Sequence, residues 1–178
     1  MNKALSATLV GGFIAGVLDI LYAFIVYGPL SYGMSPLQVL QSVAAGWVGR
    51  DASRAGGWET GALGLGTHFL IAIIMAAVFV FAGTKMRALL QRPILWGFLY
   101  GLVLYVAMNY VVAPLSAAGA AGHFAASAGE AMERLSHAFG ALRPSDPERA
   151  WMLPGTIFTH TFLVGIPIAL AARRFLRN

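Results

Sequence analysis

Asp19 places a carboxylate in the middle of an otherwise apolar segment, GVLDILY at residues 16–22. Two histidines, His68 and His160, lie in apolar segments of the same kind. Ionisable groups inside a membrane are costly, so they usually face the interior of a helix bundle, where they are paired or near water. Because imidazole is the side chain that changes its charge near neutral pH, a carboxylate with histidine neighbours is typical of a proton relay.

Two other kinds of site use the same residue types. Two imidazoles and one carboxylate are a ligand set for iron or zinc, so Asp19, His68 and His160 are candidate metal ligands. Histidines at equal depth also suit a bis-histidine haem. Alternatively, a neutral imidazole that donates to a carbonyl or carboxylate across a helix interface would only stabilise helix packing. The spacing leaves these alternatives open, because it does not show that the rings face each other.

Smaller polar side chains accompany the three ionisable residues. Thr67 and Thr159 directly precede the two histidines, and Tyr22 follows Asp19 by about one helical turn. Asn109 lies in a third apolar segment, somewhat nearer the predicted outer surface. These residues together predict a polar intramembrane pocket whose opening, if it has one, faces the outside.

The segments that carry these residues are long enough to be membrane-spanning helices. Of the 178 residues, 58% are hydrophobic and 11% are charged, and the mean hydropathy is +0.73. This is too apolar for a soluble domain of that length. Runs of about twenty mainly apolar residues can each cross roughly 30 Å of hydrocarbon as a helix, and such runs lie near 5–28, 60–83, 93–113 and 152–172. We therefore expect an all-α membrane protein with a single four-helix domain over residues 1–178.

Helix geometry places the three ionisable residues in one layer. At 1.5 Å per residue, Asp19 lies roughly 13 Å from the outer end of its helix. By the same rise, His68 and His160 lie roughly 12 Å from the outer ends of theirs. The polar site is therefore expected in the outer half of the bilayer.

The charged residues indicate the orientation in the membrane. One side has basic residues and no acidic ones: Lys3, Lys85, Arg87, Arg92, Arg173, Arg174 and Arg177. The other side has both signs: Arg50, Arg54, Arg134, Arg143 and Arg149 with Asp51, Glu59, Glu130, Glu133, Asp146 and Glu148. By the positive-inside rule, both termini and the loop at 84–92 are cytoplasmic. The net charge of +5 thus reflects topology, so the expected partner is the lipid bilayer, and no nucleic-acid binding is expected.

The first and third apolar segments resemble each other, which indicates an internal duplication. GFIAGVLDILYAFIVYGPLS (12–31) aligns at both ends with GFLYGLVLYVAMNYVVAPLS (97–116). The Thr-His pair at 67–68 aligns with that at 159–160, and FLIAI (69–73) then matches FLVGI (162–166) after one extra residue, Thr161. The predicted repeats cover about residues 5–83 and 93–173. Because each half has two spanning helices, both would insert the same way round, with a pseudo-two-fold axis along the membrane normal.

Each predicted repeat contains a small-residue motif of the kind that allows close helix approach in lipid. The motifs are Gly12 with Gly16 and Gly97 with Gly101. We expect them to pack helix 1 against helix 3, with a homodimer contact as the alternative.

Each predicted repeat also contains an external amphipathic segment that is expected to form a short helix. Both segments begin with a capping box, in which a Ser hydroxyl and a Gln or Glu side chain satisfy free backbone N–H groups. The capping pairs are Ser35 with Gln38 and Ser127 with Glu130.

Several of these features together resemble the YagU-like bacterial inner-membrane proteins. The features are Thr67 and His68 before an apolar helix, a basic loop, a third helix that ends in Pro114 and Leu115, and a fourth helix with His160 before Arg173 and Arg174. The resemblance covers about residues 60–178. It implies four membrane helices, a bacterial inner-membrane location and a role at low external pH, and it singles out His68 and His160.

The expected activity is non-enzymatic. The chain has no cysteine, which excludes thiol chemistry and thiolate metal sites. We expect a small-solute or proton-linked function, of a transport or channel type, centred on Asp19, His68 and His160. The alternatives are a metal or haem protein that uses the same residues, and a scaffold whose polar layer only holds the helices together.

Overall fold

A computed structural model describes residues 2–119, 121–140 and 149–177, and every regular element in those ranges is a helix. The α-helices are α1 (Lys3–Tyr27), α2 (Pro36–Val48), α3 (Arg50–Ala55), α4 (Gly57–Lys85), α5 (Ala88–Gln91), α6 (Pro93–Ala107), α7 (Ala113–Leu115), α8 (Ala128–Gly140), α9 (Met152–Phe158) and α10 (Ile166–Leu176). Three π-helical segments adjoin them: Gly28–Tyr32, Met108–Val112 and Thr159–Gly165. Part of the predicted orientation depends on residues that lie outside the described ranges: Arg143, Asp146 and Glu148.

Four continuous helical stretches are long and apolar enough to cross a membrane. We name them the first to fourth spans, and they are Lys3–Tyr32, Gly57–Lys85, Pro93–Leu115 and Met152–Leu176. They coincide with the four predicted apolar runs. The prediction of an all-α, multi-pass membrane protein is therefore confirmed.

The chain divides into two compact units. The first comprises Met1–Tyr22, His68–Tyr105 and Pro154–Asn178, and the second comprises Ala23–Thr67 and Val106–Leu153. In the first unit, small and large apolar residues from all four spans form one buried cluster, which includes Ala7, Ala15, Ala76, Phe79, Leu104, Val164 and Ile168. The alanines allow the helix axes to approach, and the larger side chains fill the space between them.

Glycines set the closest helix contacts in the first unit. A Cβ on Gly12 would lie 2.7 Å from Ile73 Cα, and a Cβ on Gly97 would lie 2.7 Å from Ile166 Cα. Ordinary van der Waals contact begins near 3.4 Å, so each glycine lets its helix approach a neighbouring backbone. The predicted repeat pairs Gly12 with Gly97 and also pairs Ile73 with Ile166. The contact between the first and second spans at Gly12 therefore matches the contact between the third and fourth spans at Gly97.

The glycine contacts differ from the predicted packing of helix 1 against helix 3. A Cβ on Gly16 would meet the Phe69 ring of the second span at 2.8 Å. A Cβ on Gly101 would lie 2.4 Å from both the His160 oxygen and Thr161 Cα of the fourth span. The predicted pairing is therefore wrong, because the small-residue face in each half packs on the returning helix of that half.

The fourth span contains a π-helical segment at Thr159–Gly165. A single inserted residue widens one turn of an α-helix into such a segment. The sequence has one extra residue in this stretch, Thr161, relative to the first predicted repeat. Thr161 is completely buried, and its hydroxyl donates to the Ile157 carbonyl at 2.7 Å. The span thus accommodates the extra residue locally and remains helical.

In the second unit, α2 packs closely on α3 and on the start of the second span. The buried Gln41 amide donates to the Gly57 carbonyl at 3.1 Å, and Ser53 Oγ donates to the Gln41 carbonyl at 2.6 Å. A Cβ on Gly64 would lie 1.9 Å from the Leu40 carbonyl oxygen, so backbone meets backbone at this point. Gly64 therefore allows the close approach of the second span to α2, and the hydrogen bonds of Gln41 hold α2 in place there.

Helices form at both segments that were predicted to be amphipathic. At α2, Ser35 Oγ accepts from the Gln38 N–H and the Gln38 side chain accepts from the Ser35 N–H, so this capping box is complete. At α8, Ser127 Oγ accepts from the Glu130 N–H. The Glu130 carboxylate, however, accepts from the Ala126 N–H, one residue before the predicted donor. The position of these helices outside the membrane stays a prediction.

Candidate functional site

Asp19 and His68 face each other in the first unit. His68 Nδ1 lies 3.9 Å from Asp19 Oδ2, and the histidine and aspartate side chains are 11% and 30% exposed. Asp19 is in α1, and His68 is in the second span, which approaches α1 closely at Gly12 and Gly16. Asp19 is also the one acidic side chain in the sequence of this unit. The structure thus brings together two of the three ionisable residues that the sequence singles out.

A backbone carbonyl fixes the His68 ring. His68 Nε2 lies 2.9 Å from the Gly16 carbonyl oxygen, and the Phe69 ring packs edge-on against the imidazole with the centroids 5.5 Å apart. A carbonyl oxygen only accepts hydrogen bonds, so Nε2 carries a hydrogen. The hydrogen-bond geometry therefore assigns Nδ1 as the nitrogen that faces Asp19.

Thr159 contacts the other oxygen of the Asp19 carboxylate. Its hydroxyl donates to Asp19 Oδ1 at 2.9 Å, and Thr159 itself is buried. Thr159 is the first residue of the π-helical segment in the fourth span. The carboxylate of the first span is therefore hydrogen-bonded to the fourth span through Oδ1 and faces the second span through Oδ2.

His160 has a different environment from His68. Its Nδ1 lies 2.8 Å from the Thr156 carbonyl oxygen, within its own helix, and its ring packs edge-on against Tyr105 with the centroids 5.9 Å apart. In the predicted alignment, His160 is followed by the extra residue Thr161, which lies against Gly101, whereas His68 is followed directly by FLIAI. The two histidines are thus equivalent in the sequence alignment and not in their contacts.

In the part of the chain that the structure describes, the three candidate metal ligands do not form one cluster. Among residues 2–119, 121–140 and 149–177, no group of three or more His, Asp or Glu side chains is placed to hold a metal ion. The His160 ring is hydrogen-bonded to its own helix through Nδ1, which leaves Nε2 as its remaining ligating nitrogen, so metal binding by Asp19, His68 and His160 stays a prediction. The bis-histidine haem site, which needs only two of these residues, stays a prediction.

Tyr22 extends the polar face of α1 beyond Asp19. The two residues are three positions apart, so their side chains share one face of the helix. The Tyr22 ring packs against Phe158, with the centroids 6.2 Å apart, and a Cβ on Gly155 would come within 2.5 Å of the Tyr22 hydroxyl oxygen. Gly155 therefore leaves the space that the phenol occupies beside the fourth span.

The two remaining predicted polar residues, Thr67 and Asn109, belong to the second unit. Thr67 Oγ1 accepts a hydrogen bond from Trp47 Nε1 at 2.9 Å. Asn109 lies exposed in the π-helical segment Met108–Val112. Thr67 thus has a packing contact within its own unit, whereas its sequence equivalent Thr159 binds Asp19.

The Gly16 carbonyl is the site group that sequence reasoning missed. Gly16 was predicted as a packing residue alone, yet its carbonyl orients the His68 ring. One signal was available, since Gly16 and Asp19 are three residues apart and so lie on the same helical face. A histidine that meets that face can contact both the carbonyl and the carboxylate.

Comparisons of the chain with protein families, with curated proteins and with solved structures give no match. The resemblance to the YagU-like proteins therefore stays a prediction, and the geometry of the Asp19 site is the basis for any functional conclusion.

Proposed function

We propose that the protein has a proton-linked membrane function in which Asp19 and His68 together hold one exchangeable proton. The four membrane-spanning helices are compatible with transport or channel activity. The observation that carries the proposal is the orientation of the His68 ring, whose Nε2 is bound to the Gly16 carbonyl while Nδ1 faces Asp19.

An added proton favours the arrangement, because without one two hydrogen-bond acceptors face each other. If Asp19 is ionised and His68 is neutral with its hydrogen on Nε2, then the Nδ1 lone pair faces a carboxylate oxygen. One added proton removes this conflict, whether it lies on the carboxyl group or on Nδ1. In the second case the two side chains form an ion pair. The separation of 3.9 Å is longer than a direct hydrogen bond, so a small movement or a bridging water is part of the transfer.

The two partners differ in access to the surroundings. Asp19 is 30% exposed, whereas His68 is 11% exposed. The carboxylate is therefore the more open partner of the pair, and the imidazole is the more enclosed one. Thr159 holds Oδ1 by a hydrogen bond and so keeps Oδ2 directed at the ring. Loading and unloading this proton changes the charge of the pair by one inside a largely apolar helix bundle.

The fold supports a duplicated two-helix unit as the scaffold of this site. The matched contacts of Gly12 with Ile73 and of Gly97 with Ile166 are what an internal repeat predicts. Asp19 has Leu104 as its sequence equivalent, and Leu104 is part of the buried core. The carboxylate is thus a feature of one half alone, which favours a specific function over a requirement of the shared fold.

A scaffold role is the second candidate, and one observation favours it. The bond between His68 and the Gly16 carbonyl joins the second span to the first, and the bond between Thr159 and Asp19 joins the fourth span to the first. These bonds therefore also stabilise helix packing. Polar contacts between membrane helices are worth about 0.6–2 kcal/mol each. This role predicts a loss of stability in variants of the site without any effect on proton movement.

Proton flux into proteoliposomes separates the two candidates. An imposed pH gradient and a trapped pH-sensitive dye would report flux for the wild type, Asp19→Asn and the control His160→Gln. Asn retains an oxygen that accepts from Thr159 but cannot release a proton, so Asp19→Asn should lose most of the flux. His160→Gln alters the histidine that does not contact Asp19, and flux should persist. Proton flux in Asp19→Asn equal to that of the wild type would contradict the proposal.

We also propose the orientation and location expected from the charges, with both termini and the loop at 84–92 in the cytoplasm of a bacterium and the protein in its inner membrane, as in the YagU-like proteins. The absence of cysteine makes the orientation simple to test. Single-cysteine variants at Lys85 and Ser127 would be treated in intact cells with a membrane-impermeant maleimide. We expect labelling of the Ser127 variant and no labelling of the Lys85 variant. The opposite result, with only the Lys85 variant labelled, would show that the orientation is the reverse of the one proposed.

A further inference from the structure

An open apolar groove lies between the third and fourth spans in the first unit. Its volume is about 630 Å³. Ile94, Leu95 and Phe98 line it from the third span, and Phe162, Ile166 and Leu170 line it from the fourth. Several of these side chains are strongly exposed, Ile94 most of all. Exposed side chains of membrane-spanning helices face the acyl chains of the bilayer, so an apolar groove between two spans can hold an acyl chain.

One end of the groove is basic. Arg92 and Arg173 line it there, and neither forms an ion pair with an Asp or Glu side chain in the part of the chain that the structure describes. A second, smaller cavity of about 530 Å³ adjoins this end and shares Leu170 and Arg173 with the groove. The one acidic side chain in the sequence of this unit, Asp19, is bonded elsewhere. The end of the groove therefore attracts an anion without a competing carboxylate from the unit.

The length of the groove fits one leaflet of a bilayer. Phe162 and Arg173 are eleven residues apart along the fourth span, which corresponds to about 16 Å at 1.5 Å per residue. Half of the hydrocarbon core is about 15 Å thick. An acyl chain that lies along the apolar part would thus place its headgroup at the two arginines.

We propose that this groove binds an anionic phospholipid, with the phosphate between Arg92 and Arg173 and an acyl chain along Ile94, Phe98 and Phe162. Guanidinium groups donate hydrogen bonds that match phosphate oxygens. Basic pockets between membrane helices are suited to acidic lipid headgroups. The combination of an apolar channel and a basic end distinguishes a lipid from a free phosphate, which would need only the arginines.

Lipid binding can be measured on the purified full-length protein. Native mass spectrometry or thermal stabilisation in detergent would compare added phosphatidylglycerol with phosphatidylcholine of the same acyl chains. The wild type should bind phosphatidylglycerol more tightly. The double variant Arg92→Gln/Arg173→Gln should lose about thirtyfold in that affinity, since each basic residue near the surface contributes about 1 kcal/mol to the attraction.

A matched control removes the same charge at the same end of the unit. Lys85→Gln/Arg87→Gln alters two basic residues that do not line the groove, and its preference for phosphatidylglycerol should stay within about twofold of wild type. If the double arginine variant fails to fold, then the single variants Arg92→Gln and Arg173→Gln replace it, each with an expected loss of about fivefold.

Three outcomes would overturn the proposal. The first is an equal loss, in both double variants, of the preference for phosphatidylglycerol over phosphatidylcholine. This would show that anionic lipid is attracted by the basic residues in general and not by the groove. The second is binding of inorganic phosphate as tight as that of the lipid, which would exclude the acyl-chain contact. The third is a wild-type oligomer that dissociates only in the groove variant, which would identify a second copy of the chain as the occupant.

Discussion

Replacement of Gly101 by alanine should separate the third and fourth spans. The new Cβ would lie 2.4 Å from the His160 oxygen and from Thr161 Cα, which is about 1 Å short of ordinary contact. Both contacted atoms belong to the backbone and cannot turn away, so the helices themselves must move. Overpacking of this kind costs about 1–3 kcal/mol.

Gly66→Ala is the matched control for this prediction. Gly66 is also within a spanning helix, but a Cβ there would have nothing within 4 Å. The gain in helix propensity from Gly to Ala is similar at both positions, so the difference between the variants isolates the steric clash. Reversible unfolding in mixed detergent micelles should show Gly101→Ala about 1–3 kcal/mol less stable than Gly66→Ala. Equal stability of the two variants would refute the contact between the third and fourth spans.

Three further predictions concern other parts of the molecule. Deletion of Thr161 should convert the π-helical segment Thr159–Gly165 to regular α-helix and turn Thr159 away from Asp19 by about 100°. The deletion should therefore lower the free energy of unfolding at least as much as Thr159→Val does. A deletion variant as stable as wild type would contradict this. The Ala126 N–H and the Arg134 guanidinium lower the pKa of the Glu130 carboxyl from its ordinary value of 4.5. Its cap at α8 should therefore be intact above pH 4.5 and lost as the pH falls through the lowered pKa, and hydrogen exchange of the Ala126 amide should show this in wild type but not in Glu130→Gln. Purified protein should show no Soret band, and a band that disappears in His160→Ala would instead support the haem alternative.

The fold could be predicted from the sequence because its determinants are local. Apolar runs of about twenty residues leave few alternatives to a spanning helix, and the capping residues Ser35 and Gln38 act within one turn. The small-residue motif at Gly12 and Gly16 was likewise visible as a packing surface. Its partner helix was not, because a GxxxG motif shows that a backbone can come close without showing which one does.

The candidate site could be predicted only in part. The residue types and depths of Asp19 and His68 indicated a polar pair, but the role of the Gly16 carbonyl follows from the direction of one ring nitrogen. His68 and His160 align in sequence but differ in their contacts, and the extra residue of the predicted alignment, Thr161, lies in the π-helical segment Thr159–Gly165. A sequence alignment shows an extra residue. It does not show whether a π-helical turn accommodates that residue or whether the whole span rotates.

Proton binding by the Asp19 and His68 pair can be tested most directly by infrared difference spectroscopy of the detergent-purified protein between two pH values. We predict a carboxyl signal that is absent in Asp19→Asn, altered in His68→Gln and unchanged in His160→Gln. A carboxyl signal that persists in Asp19→Asn, or that is insensitive to His68→Gln, would contradict a shared proton between these two side chains.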